Sequence, residues 1–365
     1  MSGRRIAFVL GPSTGGIGTH VASIAGGFAQ RGDRVTVVAP AEVEDRFGFT
    51  DKGARFVAAP ISNKPGPGLG LAWKATRKAL SGISGRGVDI VHAHGLTGGL
   101  TALLARPATS SLLCTWHNQL ITEGLKRTVS NSAEKRLARS VDIALAASSD
   151  LQAHLISLGA RDARLAPVAA PDRRAAGSPT AVAEELDLQG RPLIVSVGRL
   201  HQQKDYDTLV NAASAWSKME PSPVVAIAGD GPERERLQGL IDSAGVDVRL
   251  LGHRSDVANL LAAATLAVVT SQWEARQLFA QEVLQAGIPL VATRTGGIPE
   301  LVGDAATLFE VGDVEGLSEA VATLLGDESL RQERSKAGTA QAATWPDEAA
   351  TIDQLDAIYR ELVGR

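Results

Sequence analysis

Residues 271–300 of the chain carry the sequence SQWEARQLFAQEVLQAGIPLVATRTGGIPE. An apolar run typical of a buried strand precedes them, and the pattern then predicts a short helix over residues 278–286 and a second strand, LVAT. The segment TGG at 295–297 turns into another helix, with Pro299 in its first turn. Two strand-to-helix turns so close together indicate a parallel α/β sheet, which binds phosphorylated ligands at the carboxyl ends of its strands.

Two glutamates mark this stretch. Glu274 lies in the turn after the first strand and Glu282 in the opening turns of the helix, with seven residues between them. Side chains in a first helical turn point back toward the helix N-terminus, so Glu282 reaches whatever the turn holds. A carboxylate has two oxygens, enough to accept from both hydroxyls of a ribose. The alternative is that both glutamates are solvated helix-start residues that complement the helix dipole.

The stretch contains the motif S-x-x-E-x7-E, followed by A-G-x-P-L-V-A-T-x-x-G-G-x-P-E. This combination resembles the pattern of the retaining nucleotide-sugar glycosyltransferases of family 4, which have the GT-B fold. The resemblance implies an α/β protein of two Rossmann-like, doubly wound domains facing across a cleft. It also implies that Glu282 holds the ribose of the sugar nucleotide and that Glu274 faces the transferred sugar. The chain departs from the family pattern at Ala275, Arg276 and Gln277, where the family has Gly, an aromatic residue and Gly or Pro.

Length and composition limit the function classes. The 365 residues predict two domains of ordinary size, and a net charge of −3 without charged blocks argues against nucleic acid as the main partner. The single Cys114 excludes a disulfide framework, and no Cys/His spacing indicates zinc. The start of the chain matches a first strand and not a signal peptide, and the longest apolar run, 257–269, is too short to span a bilayer. We therefore expect a cytoplasmic protein, for which peripheral membrane contact stays open.

The order of apolar runs and loops predicts the domain organisation. We expect an N-terminal, acceptor-side domain at residues 1–170, a Pro/Ala-rich linker at 171–190 and a donor-binding domain at 191–344. The last helix, within residues 345–365, is expected to cross back to the first domain, as such tails commonly do in the fold that the resemblance implies.

The N-terminal domain opens with an apolar strand and the Gly-rich turn GPSTGGIGTH, which is typical of doubly wound domains. Gly16 and Gly18 belong to a run similar to G-x-G-x-x-G. A dinucleotide site needs an acid at the end of the second strand, and no acid stands there before Glu42, so a nicotinamide enzyme is the weaker interpretation. The resemblance implies instead that the backbone N–H of Gly16 contacts the donor phosphates.

Histidines stand at the ends of two predicted strands of this domain. His92 and His94 lie in DIVHAH with no third metal ligand near, so we expect His92 to be a satisfied core residue and His94 to line the cleft. His117 directly follows the strand LLCTW and is either an exposed loop residue or a substrate contact. Its context, T-x-H-N, resembles the family motif whose histidine contacts the transferred sugar, which implies that His117 is catalytic.

The C-terminal domain opens with a strand that ends in GRLHQQKDYD. Arg199 and Lys204 stand five apart across this turn, where a rigid cationic fork and a point charge suit a diphosphate. An ordinary exposed turn is the alternative. The match of V-G-R-L-x-x-x-K-D to the family implies that both side chains bind the donor diphosphate and stabilise it as the leaving group. Asp205 and Asp207 form a D-x-D sequence, with which other glycosyltransferases hold manganese, but we interpret them as helix-start caps and expect no metal.

Backbone groups complete the predicted donor site. The resemblance implies that the loop at Gly252 and His253 passes the nucleotide base. The turn at Gln277 and Leu278 supplies further backbone N–H groups. None of these residues indicates which base or which sugar binds.

Together these features predict a retaining hexosyltransferase or N-acetylhexosaminyltransferase that uses a nucleoside diphosphate sugar, an acceptor hydroxyl, no cofactor and no divalent metal. The predicted catalytic residues are His117, Arg199, Lys204 and Glu274. No carboxylate is placed as a nucleophile, so we expect the diphosphate to leave from the face that the acceptor attacks. The alternatives are a nucleotide-sugar epimerase on the same fold, which needs no acceptor, and a non-catalytic sugar-nucleotide-binding module.

Overall fold

The computed structural model describes residues 3–13, 15–62, 68–81, 87–119, 124–170 and 178–364. The chain divides into two compact units. Unit 1 comprises Met1–Ala169 and Pro346–Arg365, and unit 2 comprises Ala170–Trp345. In both units strands alternate with helices, an arrangement that favours parallel sheets with helices on their faces. Within the described ranges, no helix is both long enough and apolar enough to cross a membrane.

Unit 1 is built on parallel strands that are buried through most of their length. Its strands are β1 (Arg5–Leu10), β2 (Arg34–Ala39), β3 (Arg55–Ala58), β4 (Ile90–His94), β5 (Ser111–Trp116), β6 (Ile143–Ala146) and β7 (Ala163–Leu165). The helices between them are α1 (Gly16–Gln30), α2 (Ala41–Phe47), α3 (Gly68–Ser81), α4 (Gly95–Ala105), α5 (Gly124–Ser140) and α6 (Ser149–Leu158). Among the described residues the sheet has the order β3-β2-β1-β4-β5-β6-β7. The order reverses between β1 and β4, and open α/β sheets bind ligands at such a point.

Unit 2 repeats this plan with a second parallel sheet. It begins with α7 (Pro179–Glu185), and its strands are β8 (Leu193–Val197), β9 (Val224–Ala228), β10 (Val248–Gly252), β11 (Leu266–Val269), β12 (Leu290–Thr293) and β13 (Thr307–Phe309). Its other helices are α8 (Tyr206–Trp216), α9 (Arg234–Ala244), α10 (Val257–Ala263), α11 (Leu278–Gln285), α12 (Ile298–Val302), α13 (Val314–Gly326) and α14 (Glu328–Ala342). The strand order in the described part of this unit is β10-β9-β8-β11-β12-β13, which reverses between β8 and β11.

The predicted linker at residues 171–190 is wrong in its second half. Residues 171–177 lie outside the described residues, but α7 follows directly and belongs to unit 2. The helix and the turn after it pack into the core of unit 2 through three buried apolar side chains, Val182, Leu186 and Leu188. Val182 and Leu186 stand four apart and share one face, and Leu188 in the following turn adds to the same core, so this Ala-rich segment is packed against unit 2.

The chain ends in α15 (Glu348–Val363), which belongs to unit 1. The helix begins at an N-cap where the Asp347 side chain accepts the N–H of Ala350 at 2.7 Å. It contacts α1 through the buried ring of Tyr359, which stacks on Phe28 with 4.9 Å between ring centroids. Burial of two aromatic rings stabilises this contact far more than the exposed ion pairs of the helix surface do.

Candidate functional site

Several predicted site residues follow neighbouring strands of unit 2. The strands β8, β11 and β12 lie side by side in the sheet. Arg199 and Lys204 follow β8, Glu274 follows β11, and the turn at Gly296 follows β12. Since the carboxyl ends of parallel strands meet at one edge, these turns share that edge of the sheet.

Lys204 and Glu274 contact each other there, although their positions in the sequence differ by 70. The Nζ of Lys204 donates a hydrogen bond to Oε1 of Glu274. Both side chains are largely buried, with 19% of Lys204 and 10% of Glu274 exposed. A buried pair of charges gains stability only when its geometry and its remaining hydrogen bonds are good, and loss of one partner is costly. The two predicted catalytic residues are thus coupled to each other.

Hydrogen bonds hold the turns that carry this pair. The side-chain amide of Gln203 donates to the carbonyl of Trp273 at 2.8 Å, and the carbonyl of Gln203 accepts the N–H of Gln272 at 2.8 Å. The hydroxyl of Thr270 donates to the carbonyl of Lys204 at 2.7 Å. The loop after β8 is therefore attached to the loop after β11 through the residues that directly precede Glu274.

The turn after β12 approaches Glu274 backbone to backbone. Gly296 has φ +51°, and a Cβ at this position would lie 2.0 Å from the carbonyl oxygen of Glu274. The next residue, Gly297, donates its N–H to the same carbonyl at 2.8 Å. A side chain at Gly296 would force the two turns apart, so a glycine is required for this close approach.

The remaining predicted donor-binding residues lie at the carboxyl ends of strands or in the helix after β11. Arg199 is exposed in the turn after β8. Gly252 ends β10, and its carbonyl accepts the N–H of Gly229 at 2.7 Å, while His253 beside it is exposed. Glu282 is half-buried in α11.

The turn before α11 contains the other two predicted contacts. Gln277 is the N-cap residue of α11, and Leu278 is the first residue of the helix. The side chain of Gln277 makes no capping hydrogen bond, and its Oε1 is buried without a partner among the described residues. The first N–H groups of a helix have no partner within it, so this turn offers donors for a ligand.

The two aspartates of the D-x-D sequence are held by separate partners. Asp205 is the N-cap residue of α8, as predicted, but its carboxylate accepts the hydroxyl of Thr208 at 2.8 Å and makes no bond to a backbone N–H. Asp207 does not cap the helix. Both of its oxygens accept from the guanidinium of Arg236, at 2.6 and 2.8 Å.

Unit 1 contains a cluster of four buried histidines, which we call the histidine cluster: His20, His92, His94 and His117. The Nδ1 of His94 and the Nε2 of His117 are 3.0 Å apart and share a hydrogen bond. The ring of His20 is edge-on to both, with centroid separations of 5.8 and 5.6 Å. His117 is 8% exposed, so the alternative of an exposed loop histidine is wrong.

His92 is a hydrogen-bonded core residue, as predicted. Its Nδ1 bonds with the hydroxyl of Tyr359 at 2.6 Å and its Nε2 with the hydroxyl of Thr115 at 2.7 Å. The expectation that His94 lines a cleft is not met within unit 1, because His94 is 2% exposed and packs behind His117.

Burial keeps the histidine cluster neutral. Desolvation lowers the pKa of His20 to about 4 and is the main cause that lowers the pKa of His92 to about 3. It also lowers the pKa of His94 and His117 well below the ordinary value, and the neighbouring imidazoles lower both further. A neutral imidazole has one N–H donor and one acceptor nitrogen, so each ring takes a defined tautomer.

Sequence reasoning missed His20 as a member of the histidine cluster, and it placed His94 at the cleft without predicting its contact with His117. His20 stands one helical turn after Gly16, the first residue of α1, and this spacing is the signal that places it near the strand ends. Gly18 has a packing reason, because a Cβ there would lie 2.1 Å from the ring of Phe47. The predicted phosphate contact, the N–H of Gly16, lies at the N-terminus of α1.

Comparison with known families finds two matches that lie one after the other along the chain. A family model described as "Glycosyl transferase 4-like domain" matches residues 15–171. A second, described as "Glycosyl transferases group 1", matches residues 180–341.

Two curated proteins illustrate the similarity of sequence. The 2-deoxystreptamine N-acetyl-D-glucosaminyltransferase of Streptomyces fradiae is 29% identical over 310 residues, which cover 76% of this chain and 72% of that protein. The N-acetyl-alpha-D-glucosaminyl L-malate synthase of Bacillus anthracis is 27% identical over 179 residues, which cover 48% of this chain and 47% of that protein. The match therefore spans about half the length of the Bacillus relative.

Solved structures share the fold over the whole chain. HepE of Anabaena, crystallised with UDP, superimposes with a TM-score of 0.78 at 20% identity, covering 98% of this chain and 100% of that one. Sucrose-phosphate synthase from Thermosynechococcus elongatus gives a TM-score of 0.82 at 20% identity, covering 99% and 100%. Identities this low show the fold alone, and they confirm the predicted class of two Rossmann-like units.

Proposed function

We propose that this chain, which two glycosyl transferase family models match one after the other, moves a hexose or N-acetylhexosamine from a nucleoside diphosphate sugar to an acceptor hydroxyl with retention of anomeric configuration. The observation that supports this proposal best is the contact between Lys204 and Glu274. The bond that breaks in such a donor joins the sugar to the diphosphate. A cation for the phosphate and a carboxylate for the sugar must therefore be neighbours.

Unit 2 is proposed to hold the donor. Arg199 and Lys204 neutralise the diphosphate as it leaves, and the N–H groups at Gln277 and Leu278 assist them, because charge develops there in the transition state. Glu282 accepts from the ribose hydroxyls. Gly252 and His253 belong to the loop assigned to the base.

Unit 1 contributes two further groups to the proposal. His117 is assigned to the transferred sugar and the N–H of Gly16 to the donor phosphates, as the family resemblance implies. The two cations at the turn after β8 supply the positive charge that a divalent metal supplies in other enzymes. We therefore propose a reaction without a metal.

The relatives indicate which donors to test first. The Streptomyces and Bacillus proteins are named for N-acetylglucosaminyl products, and HepE was crystallised with UDP. We propose a UDP-linked N-acetylhexosamine as the first candidate donor. GDP- and ADP-sugars serve as the comparison set.

Calorimetry with UDP-, GDP- and ADP-sugars tests donor binding, and mass spectrometry of acceptor mixtures tests transfer. Glu282→Ala should weaken binding of the preferred nucleotide about tenfold or more, since hydrogen bonds to a charged group contribute about 1.5–3 kcal/mol each. Gln285→Ala, an exposed change on the same helix, is the matched control. Unchanged affinity in Glu282→Ala would contradict the ribose assignment.

Nuclear magnetic resonance of the donor sugar, followed with and without acceptor, separates the alternatives. Conversion of the donor to an epimer without any acceptor would indicate the epimerase, and binding without any turnover would indicate the non-catalytic module. His117→Ala should abolish most transfer while nucleotide binding persists. A large fall in Tm of that variant would indicate a structural role for His117 instead.

A further inference from the structure

The ring of His94 is fixed from several sides within the histidine cluster. It stacks on His92 with 4.4 Å between centroids and on His117 with 5.3 Å. The ring of His20 meets it edge-on at 5.8 Å. His92 is itself fixed by hydrogen bonds at both of its nitrogens. Because these rings pack closely around it, the imidazole of His94 keeps one orientation toward His117.

Two hydrogen-bond arrangements fit the contact between His94 and His117. In the first, Nε2–H of His117 donates to Nδ1 of His94, which places the hydrogen of His94 on its Nε2. In the second, Nδ1–H of His94 donates to Nε2 of His117, which places the hydrogen of His117 on its Nδ1. The Nε2 of His94 is buried and has no partner among the described residues, and this atom separates the two cases.

The first arrangement leaves a buried N–H without an acceptor, whereas the second leaves only an unused lone pair. Orphaned buried N–H donors are rarer in proteins than under-satisfied acceptors. We propose that His94 is a positioning residue, which donates from Nδ1 and fixes neutral His117 in the tautomer that carries its hydrogen on Nδ1. The inference rests on the proposed role of His117 in transfer.

This tautomer determines what His117 does to a sugar. Its Nε2 lone pair is occupied by the hydrogen from His94, so His117 does not act as a base through that nitrogen. Among the described residues His94 is its hydrogen-bond partner, which leaves Nδ1–H for a ligand. His117 therefore donates a hydrogen bond to an oxygen of the transferred sugar.

Substitutions at His94 test the role in transfer. His94→Asn keeps an amide N–H close to the position of Nδ1, and His94→Phe keeps the ring shape without any nitrogen. His94→Phe should lower kcat about tenfold, on the scale of one hydrogen bond, with little change in the Kd of the donor. His94→Asn should retain most of the wild-type kcat.

Nuclear magnetic resonance of ¹⁵N-histidine protein reads the tautomer directly, because two-bond nitrogen–hydrogen correlations identify the protonated nitrogen. The wild-type protein and His94→Asn should show His117 with its hydrogen on Nδ1. His94→Phe removes the donor that fixes this tautomer, so a measurable fraction of His117 should shift to the Nε2–H form. His92→Asn is the matched control, since it also removes a buried imidazole, and it should lower Tm while His117 keeps its hydrogen on Nδ1.

Three results would overturn the inference. The first is a wild-type spectrum in which His117 carries its hydrogen on Nε2, and the second is full kcat in His94→Phe when His117→Ala is inactive. The third is a tautomer change of His117 in His92→Asn equal to that in His94→Phe. The wild-type spectrum alone decides the tautomer if the variants fail to fold. Retained transfer in His117→Ala would instead refute the proposed function of His117 and leave the tautomer result standing.

Discussion

Glu274→Gln should tighten the binding of a nucleoside diphosphate, although it removes a predicted catalytic residue. Lys204 donates to the Glu274 carboxylate in the structure, and a diphosphate that uses Lys204 has to share or replace this partner. The carboxylate also repels the phosphates. Glutamine has nearly the same shape and can still accept from Lys204, so the change removes the charge while it keeps the packing.

The magnitude follows from the geometry of the pair. A phosphate oxygen that accepts from Nζ of Lys204 lies roughly 6 Å from the carboxylate, about two hydrogen-bond lengths away. Two unit charges roughly 6 Å apart repel by about 3 kcal/mol at an effective dielectric constant of about 20. Solvent screening and a less fixed Lys204 offset part of this. We therefore expect a gain of about 1.4 kcal/mol, which is a tenfold fall in Kd.

Isothermal titration calorimetry with UDP, GDP and ADP measures the change in Kd. The change should be smaller at high salt, because screening weakens charge repulsion. Glu310→Gln is the matched control: it makes the same change in net charge at a side chain that is 70% exposed. Transfer by Glu274→Gln should fall at least tenfold, on the scale of one charged hydrogen bond lost to the sugar.

Weaker nucleotide binding in Glu274→Gln would refute this reasoning. It would show that the carboxylate holds Lys204 in its binding position or contacts the nucleotide itself. Equal gains in Glu274→Gln and Glu310→Gln would indicate an effect of net charge alone. A double-mutant cycle with Lys204→Met isolates the coupling between the two side chains.

Three other predictions concern charge. Arg199→Ala should lower kcat about a hundredfold, because Arg199 is assigned to charge that develops in the transition state, whereas a change in KM alone would indicate uniform binding. Unit 1 should lose stability in acid. The pKa of His20 is about 4 in the folded protein and about 6.5 in the unfolded chain, so the unfolded chain takes up the proton first. His20 alone should therefore lower the unfolding free energy by about 2 kcal/mol between pH 7 and 5. Thermal unfolding across this range measures the loss, and a His20→Leu variant with an undiminished slope would contradict the assignment. Transfer should persist in excess EDTA, because Arg199 and Lys204 supply the charge. A metal site would be shown instead if EDTA stopped transfer, manganese restored it, and the double variant Asp205→Ala with Asp207→Ala lacked it.

Local features of the fold were predictable because hydrophobic period and turn chemistry are local. The helix predicted over 278–286 is α11, Leu278–Gln285, and Arg199 and Lys204 do lie in a strand-to-helix turn. The assignment of residues 178–190 to the linker was wrong because it also relied on a local pattern. An Ala- and Pro-rich segment lacks a strong apolar signal, and the burial of Leu186 and Leu188 depends on the core that they meet.

Contacts between distant segments were not predictable from the sequence alone. The bond between Lys204 and Glu274 requires β8 to lie beside β11, and this pairing joins strands separated by a long stretch of chain. The histidine cluster also depends on contacts between distant segments. His20 on α1 contacts His94 and His117 because β1, β4 and β5 lie next to one another in the sheet. Sheet order is a property of the whole unit.

The departure from the family pattern lies directly after Glu274, in Ala275, Arg276 and Gln277. The backbone of Glu274 is held from the opposite side, by the N–H of Gly297 and by the close approach of Gly296. Arg276, where the family has an aromatic residue, lies over the ring of Trp345 at 5.7 Å, and burial lowers the pKa of its guanidinium. A cation stacked on an aromatic ring can fill the space of the missing aromatic residue. The backbone of Glu274, which carries the contact with Lys204, is therefore held by residues outside the segment that departs from the family pattern.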